Sequence, residues 1–219
     1  MSDQSPTVLF EDNHLLAVLK PAGVLTMGDD TGDVSMVDIA REYLRVKYSK
    51  PGNIFVGVVH RLDRPVSGVL LFAKTGKAAS RLSDQFRRST VKKTYRAIVE
   101  ASSRVADARL VDWLCKDRTN NVVNCVSPQA AGAQECILEY VVDSQGHGRA
   151  HLNVMPITGR SHQIRVQLAS RQMPIVGDVK YGSKHHRGGQ ISLHAYRLEI
   201  EHPTQKTRLE IIAEIPADL

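Results

Sequence analysis

The chain has 219 residues, 42% hydrophobic and 24% charged, a composition that excludes a disordered protein and is long enough to bury a real core. Its longest dense apolar run, Val69–Ala73, is far below the roughly 18 residues of a membrane span, and the acidic start MSDQSPTVLFEDN lacks the apolar region of a secretory signal. The 29 Lys and Arg outweigh the 23 Asp and Glu by six, but unevenly. From His60 to Arg96 ten basic residues meet only Asp63 and Asp84, a local +8 that leaves the remainder of the chain at −2. Such a block fits a polyanion partner, and it equally fits a solvated helix face beside an edge strand.

In chain order, Thr7–Phe10 and Leu15–Leu19 read as a hairpin closed by a polar turn, and Pro21-Ala22-Gly23 breaks its second strand. After the loop Gly28–Gly32, Ser35 caps a helix with Val37, Ala40, Tyr43 and Leu44 on one face. Val56–Val59 and Val66–Ala73 are strands, the second apolar enough to be buried on both faces. Thr75 caps a helix over Lys77–Arg88, with Ala78, Leu82 and Phe86 inward. Lys92–Ala101 alternates as a strand with Tyr95, Ala97 and Val99 on one face. Further strands are expected at Glu135–Val142, Ala150–Met155, Ser192–Glu201 and Thr207–Ile212, with a helix at about Ser161–Arg171. Strands outnumber helices and many are joined too tightly for crossover helices. The expected class is therefore α+β with a mixed, mainly antiparallel central sheet, in a single domain over residues 1–219.

Two segments can carry chemistry. In Val58-Val59-His60-Arg61-Leu62-Asp63-Arg64-Pro65-Val66-Ser67-Gly68 an apolar strand ends on a carboxylate set among arginines. Neighbouring positive charge favours the Asp63 anion, the form that a nucleophile or base requires, although a structural ion pair at a strand end has the same sequence. In Thr158–Arg165, Gly159 and Ser161 form a turn and cap, Ile164 and Leu168 form a buried stripe, and His162 and Arg165 share a polar face. That face can offer Arg160, His162 and Arg165 to a phosphate or a buried carboxylate, or lie exposed as an ordinary basic helix face. Lys74-Thr75-Gly76-Lys77 lacks the spacing of a phosphate loop. The adjacent His185-His186 pair reads as part of a solvated loop, since no H-E-x-x-H or H-x-E…C-x-x-C motif accompanies it. No G-x-S-x-G or G-x-G-x-x-G motif occurs. Cys115, Cys125 and Cys136, an odd number without a C-x-x-C pair, are expected as small buried hydrophobes in a reducing compartment. The expected location is the cytoplasm.

The segments HRLDRPVSGVLLFAKT, KKTYRAIV and TGRSHQIRVQLA with MPIVGDVKYG resemble, in order and spacing, the RluA family of RNA pseudouridine synthases. The similarity runs from DNHLLAVLKPAGVLT to LHAYRLEIEHP and so covers most of the chain. The resemblance implies an isomerase that converts uridine in RNA to pseudouridine on a pseudouridine synthase catalytic domain, without an S4-like RNA-binding domain ahead of it. It assigns Asp63 as the essential aspartate, Tyr95 as the aromatic residue that stacks on the base, and Arg165 as the basic residue that pairs with the aspartate. Arg61 matches an arginine implicated in RNA contact, and Arg64, Lys93, Arg160 and His162 join it as candidate RNA-binding residues. It implies no cofactor and no metal, RNA as partner (tRNA, 23S-type ribosomal RNA, or both), no membrane, and a monomer. Val66 stands where the family commonly has Thr, and Gln167 where His is frequent, so both bear on local packing or substrate choice. A non-catalytic RNA-binding or chaperone protein on the same fold is the alternative, set apart by indifference of RNA affinity to Asp63.

Overall fold

The computed structural model describes residues 5–49, 51–117 and 119–219. In chain order the elements are β1 (Thr7–Glu11), β2 (Leu15–Lys20), α1 (Met36–Lys47), β3 (Gly57–Val58), β4 (Ser67–Ala73), α2 (Gly76–Arg87) and β5 (Lys92–Glu100). There follow β6 (Ala108–Asp117), β7 (Val122–Val126), β8 (Gln134–Gly146), β9 (Arg149–Pro156), α3 (Gln163–Ala169), a 3-10 turn at Val179–Tyr181, β10 (Leu193–Glu201) and β11 (Arg208–Ile212). The chain forms two compact units, one running to Val91 and resuming at Ala195–Glu214, the other comprising Lys92–His194 and Ile215–Leu219. The strand ladders are mainly antiparallel, with one isolated parallel bridge between Leu25 and Ser35, so the α+β expectation holds.

In the first unit β2 and β4 lie side by side between β1 and β10, and β11 continues from β10. Both central strands are buried on both faces, which is why they read as unbroken apolar runs. Leu15, Ala17, Val69, Leu71 and Ala73 pack with Ala78 and Leu82 of α2. The alternate residues Leu16, Val18, Leu70 and Phe72 pack with Met36, Val37, Ala40 and Leu44 of α1. Thr75 caps α2 and Ser35 caps α1, the latter with Asp38 in a reciprocal capping box. The first two N–H groups of α1 are taken up by neighbouring backbone: Met36 donates to the Leu25 carbonyl (2.8 Å) and Val37 to the Thr26 carbonyl (3.2 Å).

The second unit is the antiparallel series β5-β9-β8-β6-β7, with α3 packed near β6 and β7. Leu114, Val123, Cys136 and Val166 make one of its core clusters. Only Cys136 of the three cysteines is buried; Cys115 is half-buried and Cys125 is exposed on the edge strand β7, which corrects the expectation for two of them. β6 and β7 were not expected from sequence. Among the described residues no helix is long and apolar enough to cross a membrane.

Two outcomes test this architecture. Gly68 has φ +124°, and a Cβ there would collide with the backbone of Ala195 on the neighbouring strand β10. Gly68→Ala should therefore lower stability by at least about 3 kcal/mol in chemical unfolding. Gly76→Ala, at the open first position of α2, should be neutral or slightly stabilising.

Glu11 supplies the second test. Burial raises its pKa, but hydrogen bonds from Lys47, Lys74, Tyr48 and Tyr43 outweigh that and hold it at about 2, below the ordinary 4.5. A lowered carboxylate pKa gives stability that is complete above pH 4.5 and is lost as pH falls through about 2. Glu11→Gln should cost about 1–3 kcal/mol at neutral pH, and its difference from wild type should close across that acid window.

Candidate active site

Asp63 lies in a turn between β3 and β4, half-buried, its carbonyl accepting the Val66 N–H at 3.0 Å. Val66 itself is buried, so its departure from the family pattern falls on a packed position. The residues on either side of Asp63, Leu62 and Arg64, are tied by their backbone to the end of β2 and the segment that follows it. The Thr26 hydroxyl donates to the Leu62 carbonyl (2.9 Å) and accepts the Leu62 N–H (3.1 Å). The Arg64 carbonyl accepts from the Gly23 N–H (2.8 Å) and from Lys20 Nζ (3.1 Å).

Lys20 is fully buried, and its ammonium also donates to the carbonyls of Pro21 (2.8 Å) and Val24 (2.6 Å). Desolvation pulls its pKa down to about 7; the Asp63 charge pulls it up and the Arg64 charge pulls it down. Three carbonyl acceptors match the three donors of the charged form, so the geometry favours the ammonium against the cost of burial. His60, four residues before Arg64 in the same segment, stacks on Phe86 with ring centroids 4.9 Å apart. Its Nε2 accepts the Leu71 N–H at 2.9 Å, which places the ring proton on Nδ1.

Tyr95 and Arg165 belong to the second unit. Tyr95 is half-buried on β5 and registers against Val154 of β9. Arg165, on α3, is buried rather than displayed on an exposed helix face. Its guanidinium grips Asp178 with both arms, Nε to Oδ2 at 2.7 Å and Nη2 to Oδ1 at 2.8 Å, and lies 4.9 Å from the centre of the Tyr181 ring. The Tyr181 hydroxyl accepts the Val123 N–H (3.0 Å) and is 2.6 Å from Nδ1 of His162.

The loop ahead of α3 differs from the expected capped helix. Ser161 is not the cap; the helix begins at Gln163, after His162 takes a left-handed conformation (φ 52°). The reason lies in Gln163. Its buried side-chain oxygen accepts from the Thr158 hydroxyl (2.8 Å) and the Arg160 N–H (3.0 Å), and its amide donates to the Ile137 carbonyl (3.0 Å). Lys93 Nζ reaches the Thr158 carbonyl (3.2 Å), and burial pushes that lysine down to about 8. Arg160 is exposed, with Nε on the Glu135 carbonyl at 3.1 Å. The second departure, Gln167, is fully buried and donates to Asp112 (2.7 Å), which Arg171 also holds.

The basic block divides when its side chains are followed. Arg64 pairs with Asp33, Lys74 with Glu11, Arg87 and Arg88 with Asp84, and Arg96 with Asp143. Arg81 bonds the Pro203 carbonyl. Arg61, Lys77 and Lys92 are exposed and carry no ion pair among the described residues, so the cationic excess open to a ligand is smaller than the sequence count. The same residues contain no group of three or more His, Cys, Asp or Glu arranged to hold a metal ion. Sequence reading gave no role to Lys20, Thr26, Gln163, Asp178 or Tyr181. The one available signal was their place inside the quoted segments KPAGVLT, TGRSHQIR and GDVKYG.

A carboxylate on a clamped turn, an aromatic residue on β5 and a buried arginine on α3 occur in the order set by HRLD, KKTY and GRSHQIR. The RNA pseudouridylate synthase profile matches residues 14–170, and the chain belongs to that family. It is 32% identical over 225 residues to the ribosomal large subunit pseudouridine synthase C of Vibrio cholerae, covering 97% of this chain and 66% of that protein. It is also 32% identical over 227 residues to the tRNA pseudouridine synthase C of Pasteurella multocida, covering 95% of this chain and 90% of the relative. The chain thus spans about two thirds of the length of the ribosomal enzyme and nearly all of the tRNA enzyme. The solved structure of human RNA pseudouridylate synthase domain containing 4 superimposes with a TM-score of 0.80 at 22% identity over 97% of this chain and 89% of that one, a likeness of fold.

The Arg165–Asp178 pair gives a direct test. Arg165→Ala leaves a buried carboxylate without its guanidinium and should cost about 3–5 kcal/mol in chemical denaturation. Arg165→Lys, which keeps the charge but loses the two-armed fork, should fall between that variant and wild type.

Proposed function

We propose that this chain isomerises uridines in structured RNA, tRNA or large-subunit ribosomal RNA, with Asp63 as the essential group. The observation that carries the reading is the fixed turn around Asp63: a half-buried carboxylate whose flanking residues Leu62 and Arg64 are held through their backbone by buried Thr26 and Lys20. A turn that only closes a strand end does not need that clamp. Names of the relatives support both RNA classes, one ribosomal and one tRNA.

In the reaction the N1–C1′ bond breaks, the uracil turns over, and a C5–C1′ bond forms. C5 loses a proton and N1 gains one, so atoms balance with no water consumed and no electrons transferred. The target base must leave its stack to be reached, and exposed Arg61 and Lys92 are suited to hold flanking phosphates while it does. In this reading Tyr95 is the platform for the flipped base, a stacking contact worth ~1–3 kcal/mol. Asp63 acts as an anion at the sugar or the base, and Arg165 is the basic residue that the family motif assigns as its counterpart. Arg64, Lys93, Arg160 and His162 border these segments as RNA contacts. The enzyme acts as a monomer in the cytoplasm.

The test is tritium release from RNA prepared with 5-tritiated uridine. Wild type should release tritium, and Asp63→Asn should lose at least about 10³-fold of the rate while retaining RNA affinity. Normal release by Asp63→Asn would remove Asp63 from the mechanism. No release by wild type from total cellular RNA would leave a binding protein and remove the activity.

A further inference from the structure

The clamp on Asp63 contains one side chain with a dual role. Thr26 is 4% exposed, and its single hydroxyl satisfies both the N–H and the C=O of Leu62. A buried peptide left without these partners would lose both hydrogen bonds at once, and no water is needed to complete them. The same residue is fixed at its own backbone, where the Thr26 carbonyl accepts the Val37 N–H in the first turn of α1 (3.2 Å). A continuous path of hydrogen bonds therefore runs from the N-terminus of α1 through Thr26 to Leu62, the residue before Asp63.

On the other side the Arg64 carbonyl is held separately, by Lys20 and the Gly23 N–H. The peptide plane before Asp63 is thus set by a side chain, Thr26, through the Leu62 carbonyl. The plane after it is set by the Val66 N–H on the Asp63 carbonyl, and Lys20 anchors the next peptide along, through the Arg64 carbonyl. Only a residue with a hydroxyl can serve Leu62 in both directions from this position, since one oxygen must donate and accept. Leu62 adds a packing restraint, being 6% exposed, but an apolar side chain leaves rotation of its own peptide plane open.

We propose that Thr26 is a positioning residue for catalysis, holding the Asp63 carboxylate in its productive orientation through the Leu62 peptide. This rests on the reading of Asp63 as the essential group. Its loss acts on the chemical step and not on RNA capture, because Thr26 is buried and touches no ligand surface. A displacement of the order of 1 Å at a reacting group costs about 10²-fold in rate. Val matches Thr in size and removes the hydroxyl alone, while Ser keeps it.

The experiment measures kcat and KM for tritium release with wild type, T26V, T26S, T26C and D63N, alongside hydrogen exchange at the Leu62 amide. T26V should lower kcat by about tenfold or more with KM within about twofold, and T26S should restore kcat to within about threefold of wild type. Exchange at the Leu62 amide should be fast in T26V and slow in T26S. A purely structural role predicts lower stability with unchanged kcat, and that result overturns the proposal while D63N inactivity leaves the Asp63 reading standing. If T26V does not fold, T26C against T26S decides: a kcat about fivefold lower for the thiol, a weak donor and acceptor, supports the proposal, and equal values overturn it. Absence of release by wild type defeats both readings together.

Discussion

A charged nitrogen buried at the end of an apolar strand sets the constraint on which the rest of the first unit depends. Lys20 closes β2, is fully shielded from solvent, and gives its three donors to the carbonyls of Pro21, Val24 and Arg64. Burial is the largest influence on it and works against the charged form, drawing the pKa down to about 7, and the three carbonyl acceptors are what the ammonium has in place of water. Two of those acceptors lie in the bend that follows β2 and the third lies beside Asp63. The lysine therefore joins a turn near the N-terminus to the Asp63 turn more than forty residues on. The cost of desolvation makes this joint specific, because any rearrangement that opens one carbonyl leaves a buried cation underbonded.

The second unit uses the same device with the charges inverted. Asp178 is buried, and the Arg165 fork supplies the partners that its carboxylate requires. Tyr181 lies against the guanidinium and is itself fixed by Val123 and His162, so α3, β7 and the 3-10 turn are linked through polar groups instead of apolar packing alone. Buried polar networks of this kind are stabilising only when every member is satisfied, and they reward that with a unique geometry. Gln167, which stands where the family frequently has His, shows the limit: its amide nitrogen donates to Asp112, while its side-chain oxygen is buried without a partner among the described residues.

Periodicity made much of the fold legible. β4 was readable because its two faces meet two different helices, which demands an apolar residue at every position from Val69 to Ala73. α1 was readable from Ser35 and α2 from Thr75, since a cap at the right spacing fixes where a helix starts. β6 was not readable for a reason its structure makes plain. The inward series Leu110, Asp112, Leu114 carries a carboxylate at its centre, which accepts a hydrogen bond from Gln167 of α3 and is neutralised by Arg171 just beyond that helix. Alternation fails in sequence where a long-range polar contact replaces a hydrophobic one. The start of α3 failed for a related reason: Ser161 resembles a cap, but the buried Gln163 side chain already satisfies the Arg160 N–H and holds His162 left-handed. Of the site, Asp63, Tyr95 and Arg165 came from motif resemblance, whereas the groups that fix them were silent because a lysine in LLAVLK or a threonine in GVLT has no pattern that distinguishes burial from exposure.

The charge count illustrates how far a sequence property can move once partners are assigned. Ten cations between His60 and Arg96 invite the picture of a continuous basic surface, yet five of them meet carboxylates and two more meet backbone carbonyls. Charges paired with an acid contribute little field at the distance of a phosphate, because the pair presents a dipole and salt screens what remains. What distinguishes the region is not its density of charge but how Asp63, the acid in its turn, is mounted. An isomerisation that takes nothing from water or from an electron carrier draws its acceleration from the placement of a few groups against the base and the sugar. In the reading proposed for Asp63, such placement depends on how firmly the backbone around it is held. Thr26 holds the peptide before it and Lys20 the Arg64 carbonyl beyond it, both from buried positions.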